Sequence, residues 1–243
     1  MSPAAASGYG AAADQPGTAT RHAHDVTVRL RTAILISGRG SNMMALVEAA
    51  AAPGFPADIV AVGSNRPDAA GLAWAAGRGI ETIAIDHKLF RAREAFEDAL
   101  HEALLVRRVE LVCLAGFMRL MTAGFVEHWR DRMINIHPSL LPAYKGLHTH
   151  ERALADGVRV TGCTVHYVTA EMDAGPIIAQ AAVPVRAGDT AEQLADRVLA
   201  AEHQLYPHAL RLVASGMARV TGENVVFAGE PAPSNPLFSP PLA

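Results

Sequence analysis

The chain has 243 residues, half of them hydrophobic, and a formal net charge of −3. No uninterrupted apolar run approaches the ~20 residues needed to cross a bilayer, and the N-terminus lacks the charged-then-apolar pattern of a secretory signal. These features predict a cytoplasmic protein without membrane or nucleic-acid partners, since a duplex would need a concentrated basic face.

Residues 1–27 are rich in Ala, Gly, Ser and Thr without hydrophobic periodicity, which predicts a disordered N-terminal extension. From there β-like apolar runs alternate with amphipathic segments. A strand at residues 32–37 is followed by Gly38-Arg39-Gly40-Ser41 and a helix at 42–51. A second strand at 58–64 leads to a helix at 69–78, and a third at 82–85 to a long helix at 91–107. A fourth strand spans 110–115, a helix 122–129 and a fifth strand 133–137. Such alternation predicts βαβ units and a parallel sheet. Residues 160–169 then alternate polar and apolar, and 177–185 form a second β run after the turn Asp173-Ala174-Gly175-Pro176. A last helix at 191–215 is expected to be interrupted near Pro207, and a Pro-rich tail runs over 229–243. The fold class expected is α/β, a doubly wound, mostly parallel sheet with an antiparallel extension. Residues 28–228 are expected to form one domain, with a nucleotide-binding half at 28–130 and a catalytic half at 131–228. Cys113 and Cys163 each lie inside an apolar run and read as buried, reduced thiols.

Three stretches carry chemistry. In Ser37-Gly38-Arg39-Gly40-Ser41-Asn42, glycines and a helix N-terminus suit an anion, although an ordinary turn with Ser41 as N-cap has the same composition. Position 43 is Met rather than a third glycine, and the second strand ends in Ser64-Asn65-Arg66 without an acidic residue. A single phosphate therefore fits better than a dinucleotide. In Met133-Ile134-Asn135-Ile136-His137-Pro138, Asn135 and His137 share one face of a strand that Pro138 ends, so both stand at its carboxyl mouth. An amide donor beside an imidazole suits an oxyanion and a moving proton; the alternative is a pair of residues closing a turn. Asp173 projects from a turn, where a carboxylate near His137 would raise the imidazole pKa and fix its tautomer; ordinary turn chemistry is the alternative. His148 and His150, with His166, lack a Glu or Cys at familiar ligand spacing, so no metal site is assigned. His148 is expected to N-cap a helix or line the cleft. Ser139 lacks the elbow of a hydrolase nucleophile.

Together these stretches, with Leu114-Ala115-Gly116-Phe117-Met118-Arg119, Gly146-Leu147-His148-Thr149-His150 and Gly162-Cys163-Thr164-Val165-His166-Tyr167, resemble the phosphoribosylglycinamide formyltransferases. These are folate-dependent enzymes of purine synthesis. The resemblance covers residues 32–220 and implies a Rossmann-like formyltransferase fold. It also implies formyl transfer from 10-formyltetrahydrofolate, as co-substrate, to glycinamide ribonucleotide, without a metal, by a monomer or homodimer. By the same resemblance Asn135, His137 and Asp173 are catalytic, supported by His148 and Thr164. Arg39, Gly40, Ser41, Asn42 and Glu202 would take the nucleotide. Met118, Arg119 and Leu120 would line the pterin pocket with the backbone from Val168 to Asp173, so that Phe117, Val168, Thr169, Ala170 and Glu171 also count as folate-binding, and Arg93 and Arg119 would meet the folate's glutamate tail. Arg39, Lys145 and Leu199 depart from the family pattern. A 10-formyltetrahydrofolate hydrolase is disfavoured by Pro138-Ser139-Leu140 and the short N-terminal extension, and a methionyl-tRNA formyltransferase by the short C-terminal end. A silent nucleotide-binding protein is disfavoured by the intact trio.

Overall fold

Residues 29–229 are described by the computed structural model. The expected extension at 1–27 and the tail at 229–243, Gly229 apart, lie outside them. β1 (Leu30–Ile36), β2 (Ala57–Ser64), β3 (Glu81–Ala84), β4 (Leu111–Leu114) and β5 (Met133–His137) pair in parallel, in the order β3-β2-β1-β4-β5. β6 (Val160–Tyr167) and β7 (Ile177–Pro184) continue the sheet antiparallel beyond β5. The mostly parallel α/β sheet with an antiparallel extension is thus the one the sequence predicts.

The apolar runs of β1 are buried on both faces, and alternate residues serve different layers. Ile34 and Ile36 pack with Met43 and Leu46 of α1 (Ser41–Ala50) and with Tyr206 and Leu210 of α6 (Ala191–Ala214). Ala33 and Leu35 pack with Phe96, Leu100 and Leu104 of α3 (Arg93–Val106) and Phe125 of α4 (Ala123–His128). Two-sided burial is why the run lacks alternation. α2 (Ala70–Ala76) completes the first layer, with Leu72 and Ala75 in its core. The strand order reverses between β1 and β4, so a crevice opens at their carboxyl ends, where open α/β sheets take ligands.

One expectation is corrected: α6 runs through Pro207 as a single 24-residue helix. A proline inside a helix removes one backbone hydrogen bond and costs about 3 kcal/mol. Here tertiary packing offsets it. Leu194, Val198, Glu202, Tyr206, Ala209 and Leu210 form one buried stripe, and the Tyr206 hydroxyl sits 3.0 and 3.1 Å from the carbonyls of Leu114 and Ile134. The sequence marks no extent for α5 (Thr149–Ala155), which follows His148, and has no counterpart for the hairpin of β8 (Ala218–Thr221) and β9 (Asn224–Phe227).

The turn from β7 into α6 is fixed by a fork-to-fork ion pair. Arg197 Nη1 and Nη2 each lie 2.8 Å from an oxygen of Asp189, which also accepts the Arg186 N–H. The Arg197 guanidinium, ahead of that N–H, pulls the Asp189 carboxyl from 3.8 down to about 2. A carboxylate lowered by folding contributes stability above its unfolded pKa and loses it as pH falls through the folded one. The melting-temperature gap between wild type and Asp189→Asn should therefore persist down to about pH 4 and close near pH 2. A gap that stays constant across this window would show that the pair does not carry it.

Candidate active site

The strand register assembles the central cluster. Asn135 stands opposite His166, and His137 opposite Thr164, across the β5–β6 ladder. Side chains directly opposite, and two apart on each strand, share one face. Four polar side chains, Asn135, His137, Thr164 and His166, therefore converge on the face at the carboxyl end of β5. Asp173 arrives from the turn after β6 in a left-handed conformation, φ 51°, and its Oδ2 lies 3.4 Å from His137 Nδ1.

Each ring nitrogen has a determined duty. His137 Nε2 lies 2.9 Å from the Tyr144 carbonyl, which can only accept, so this nitrogen carries a proton. Nδ1 is then the nitrogen left to gain or lose one, and it faces Asp173. The sequence reading gave the tautomer-fixing role to Asp173; the Tyr144 carbonyl has it instead. His166 Nδ1 donates to the Tyr167 carbonyl at 2.8 Å, and burial disfavours its charged form, pushing its pKa down. Its Nε2 is then a lone pair, and Asn135 Nδ2 donates to it at 3.2 Å. The 3.8 Å approach of His166 Nε2 to Asp173 Oδ1 is accordingly no ion pair. His166 was weighed in the sequence only as a metal ligand. What places it is cross-strand register, which a single sequence does not display.

The loop after β5 closes over the cluster. Ser139 Oγ donates to the Ala143 carbonyl, and Thr164 Oγ1 donates to the Ser139 carbonyl at 2.7 Å while accepting the Leu141 N–H at 3.0 Å. Gln180 Nε2 on β7 reaches both the Leu141 carbonyl and Thr164 Oγ1. Thr164 is thus a brace for this loop. Gly146 N–H donates to Asp173 Oδ2 at 2.9 Å. His148 occupies the N-cap position of α5, at φ 58°, but its ring makes no cap bond. It is three-quarters exposed and lies 3.5 Å from Glu151; the groups that meet Asp173 are His137, His166 and the Gly146 amide. His150, two residues on, is partly buried, and its pKa is held down by that burial.

On the opposite side of the crevice, Gly40 rather than Ser41 is the N-cap of α1. Its φ of 74° favours glycine, and a Cβ there would come within 2.9 Å of Met43 Cε. α1 has no side-chain cap and no acidic residue in its first turn, which leaves the positive end of the helix open to an anion. Arg39 is exposed on the same loop. Asn42 Nδ2 donates to Glu202 Oε2 at 2.7 Å, joining α1 to α6, and burial raises the Glu202 pKa against that bond. A groove of about 570 Å³ between the two helices is lined by Ser41, Met44, Glu48, His203 and Pro207. His203 escaped the sequence reading; its position directly after Glu202 was the available signal.

The loops at the ends of β1, β2 and β4 are tied together. Ser37 Oγ donates to Asn65 Oδ1 at 2.6 Å and accepts the Met118 N–H at 2.8 Å. Phe117 and Val168 pack partly against the core, while Met118 and Leu120 are exposed apolar side chains at the mouth, with Met172 on the facing turn. Arg119 lies over the Phe96 ring at 5.8 Å, and Arg93 precedes Phe96 by one helical turn. Thr169, Ala170 and Glu171 are exposed on the turn before Asp173. Both cysteines are free and buried, and burial pushes each thiol up to about 12, which keeps them unreactive. Among the described residues no group of three or more His, Cys, Asp or Glu is placed to hold a metal ion, and no helix is long and apolar enough to cross a membrane.

The formyl transferase family model matches residues 30–210. The trifunctional purine biosynthetic protein adenosine-3 of Bos taurus is 50% identical over 208 residues, 86% of this chain; the chain spans only 20% of that relative's length. The phosphoribosylglycinamide formyltransferase of Escherichia coli is 43% identical over 187 residues, 77% of this chain and 88% of the relative. Among solved structures, the phosphoribosylglycinamide formyltransferase of Brucella melitensis is 57% identical with a TM-score of 0.75, covering 78% of this chain and 97% of that one. Glycinamide ribonucleotide transformylase 1 of Symbiobacterium toebii is 45% identical with a TM-score of 0.80, covering 83% and 95%. With the family model matched over residues 30–210 and its fold and most of its length shared with the Escherichia coli and Brucella melitensis enzymes, the chain belongs to the family of phosphoribosylglycinamide formyltransferases.

Proposed function

We propose that this chain transfers the formyl group of 10-formyltetrahydrofolate to the amine of glycinamide ribonucleotide, as a cytoplasmic step of purine synthesis. The observation that carries this reading is the pairing of Asn135, His137 and Asp173 at one mouth of the crevice with an uncapped helix N-terminus at the other. The amine nitrogen attacks the formyl carbon, and the carbonyl oxygen becomes an oxyanion. Collapse breaks the bond from that carbon to folate N10, and the proton lost by the amine ends on N10. The products are formylglycinamide ribonucleotide and tetrahydrofolate.

Each residue acts by what it already holds. Asn135 has one amide hydrogen on His166, which orients the second for the oxyanion. His137 Nδ1 with Asp173 Oδ2, 3.4 Å apart, forms the proton-handling pair, a spacing of the loose kind that tightens around bound reactants. Gly40, Ser41 and Asn42 receive the phosphate on open N–H groups, with Arg39 adding charge, and Glu202, held by Asn42, takes the ribose or glycinamide end. Phe117, Met118, Leu120 and the stretch from Val168 to Glu171 enclose the pterin, and Arg93 and Arg119 receive the glutamate carboxylates. Holding two reactants in line supplies much of the acceleration.

The test is spectrophotometric deformylation of 10-formyl-folate with and without glycinamide ribonucleotide. Deformylation only with the nucleotide is the expected result. Deformylation without it would replace the transferase by a hydrolase, and folded protein inert in both mixtures would leave a binding protein.

A further inference from the structure

Three consecutive residues of the loop after β5 each touch a different part of the cluster. Tyr144 presents its carbonyl to His137 Nε2 at 2.9 Å, Lys145 its ammonium to Glu171 Oε1 at 3.0 Å, and Gly146 its N–H to Asp173 Oδ2 at 2.9 Å. The outer two contacts use the main chain of this loop: the first ties it to β5, and the last holds only while the loop and the turn bearing Asp173 stay in register. The middle contact joins loop and turn side chain to side chain.

The surroundings make Lys145 a fixed point on its own side. Arg152 Nη1, from α5, donates to the Lys145 carbonyl at 2.7 Å, and its guanidinium carbon lies 5.4 Å from the centre of the Tyr144 ring. Tyr144 and Gly146, on either side, are both left-handed, with φ of 55° and 79°. Glu171, in contrast, stands on an exposed turn, with its side chain 77% exposed against 34% for Lys145. Of the two partners, Lys145 is the more enclosed and Glu171 the more exposed.

We infer that Lys145 is a positioning residue, whose ammonium clasps Glu171 and so holds the turn before Asp173 against the loop after β5. The clasp keeps Asp173 on the Gly146 N–H and in front of His137, and it fixes the wall of the folate pocket at residues 168–171. An exposed ion pair is weak and sensitive to salt, so its loss changes rates by small factors. Its consequence for turnover rests on the proposed transfer reaction; the clasp itself does not.

Lys145→Met, Lys145→Arg and the charge exchange Lys145→Glu with Glu171→Lys separate these statements. In Lys145→Met the Gly146 amide should exchange with deuterium roughly two- to fivefold faster by NMR, and kcat/KM for 10-formyl-folate should fall by a similar factor. KM for the nucleotide and the unfolding midpoint should stay at wild-type values. Lys145→Arg and the charge exchange should both restore slow exchange, and high salt should shrink the gap between wild type and Lys145→Met. Unchanged exchange at Gly146 in Lys145→Met, or a charge-exchange variant as fast as Lys145→Met, would overturn the clasp. A wild type inactive with both substrates would overturn the proposed reaction instead, and the exchange measurement would still decide the clasp.

Discussion

Replacing His137 with alanine is expected to lower kcat by roughly two to four orders of magnitude and leave nucleotide affinity within about twofold. The loss is large because the ring has a single nitrogen free for proton exchange. Nε2 is occupied by the Tyr144 carbonyl, so the route through Nδ1 and Asp173 has no substitute within the ring. Nucleotide affinity is spared because the open N–H groups at Gly40–Asn42 and the Asn42–Glu202 bond belong to α1 and α6, on the other side of the crevice. Alanine also leaves the Tyr144 carbonyl without its donor, at a cost on the order of 1–3 kcal/mol. A second variant separates chemistry from folding. His137→Gln can keep an N–H near the Nε2 position for the carbonyl but cannot carry the proton, so it should lose the same turnover at a smaller cost in stability. Near-normal turnover in His137→Gln would remove His137 from the reaction.

The placement of Asn135 and His137 on one face at the end of β5 was legible in the sequence because a strand's period of two and a following proline act locally, on adjacent residues. The partners that give those side chains their duties were not. His166 lies 31 residues from Asn135, and the Tyr144 carbonyl belongs to a backbone group that no side-chain pattern announces. The β5–β6 register brings the former in, and the left-handed turn at Tyr144 the latter. The same limit explains the missed elements. α5 has seven residues and begins at a left-handed His148, and β8 and β9 have four residues each with little burial. Such segments are shorter than the window over which hydrophobic periodicity accumulates. α6 shows the opposite error. Pro207 is a strong local signal, yet the buried stripe and the Tyr206 hydroxyl bonds on β4 and β5 outweigh it.

Gly175→Ala is expected to destabilise the fold by about 3 kcal/mol or more and to lower kcat by roughly 10²-fold in whatever protein remains folded. The residue closes the turn that carries Asp173, and its backbone lies directly on the end of β6. A Cβ there would come within 1.8 Å of the Tyr167 carbonyl oxygen and 2.8 Å of its carbon. Neither atom belongs to a flexible side chain, and Tyr167 is itself fixed, its N–H bonded to the Pro176 carbonyl at 2.9 Å. Relief has to come from the turn, which must move outward by more than 1 Å to restore ordinary contact. Asp173, two residues earlier, would leave the Gly146 amide and His137 together. Misplacement on this scale is what positioned catalysis tolerates least. Gly157→Ala supplies the comparison: at φ 65° with nothing near its Cβ, it should cost about 1 kcal/mol of backbone strain and leave kcat unchanged. Urea unfolding and kcat measured on both variants distinguish the effects. If Gly175→Ala behaves like Gly157→Ala in both assays, the place of Asp173 is set by its own hydrogen bonds and not by the packing of this turn on β6.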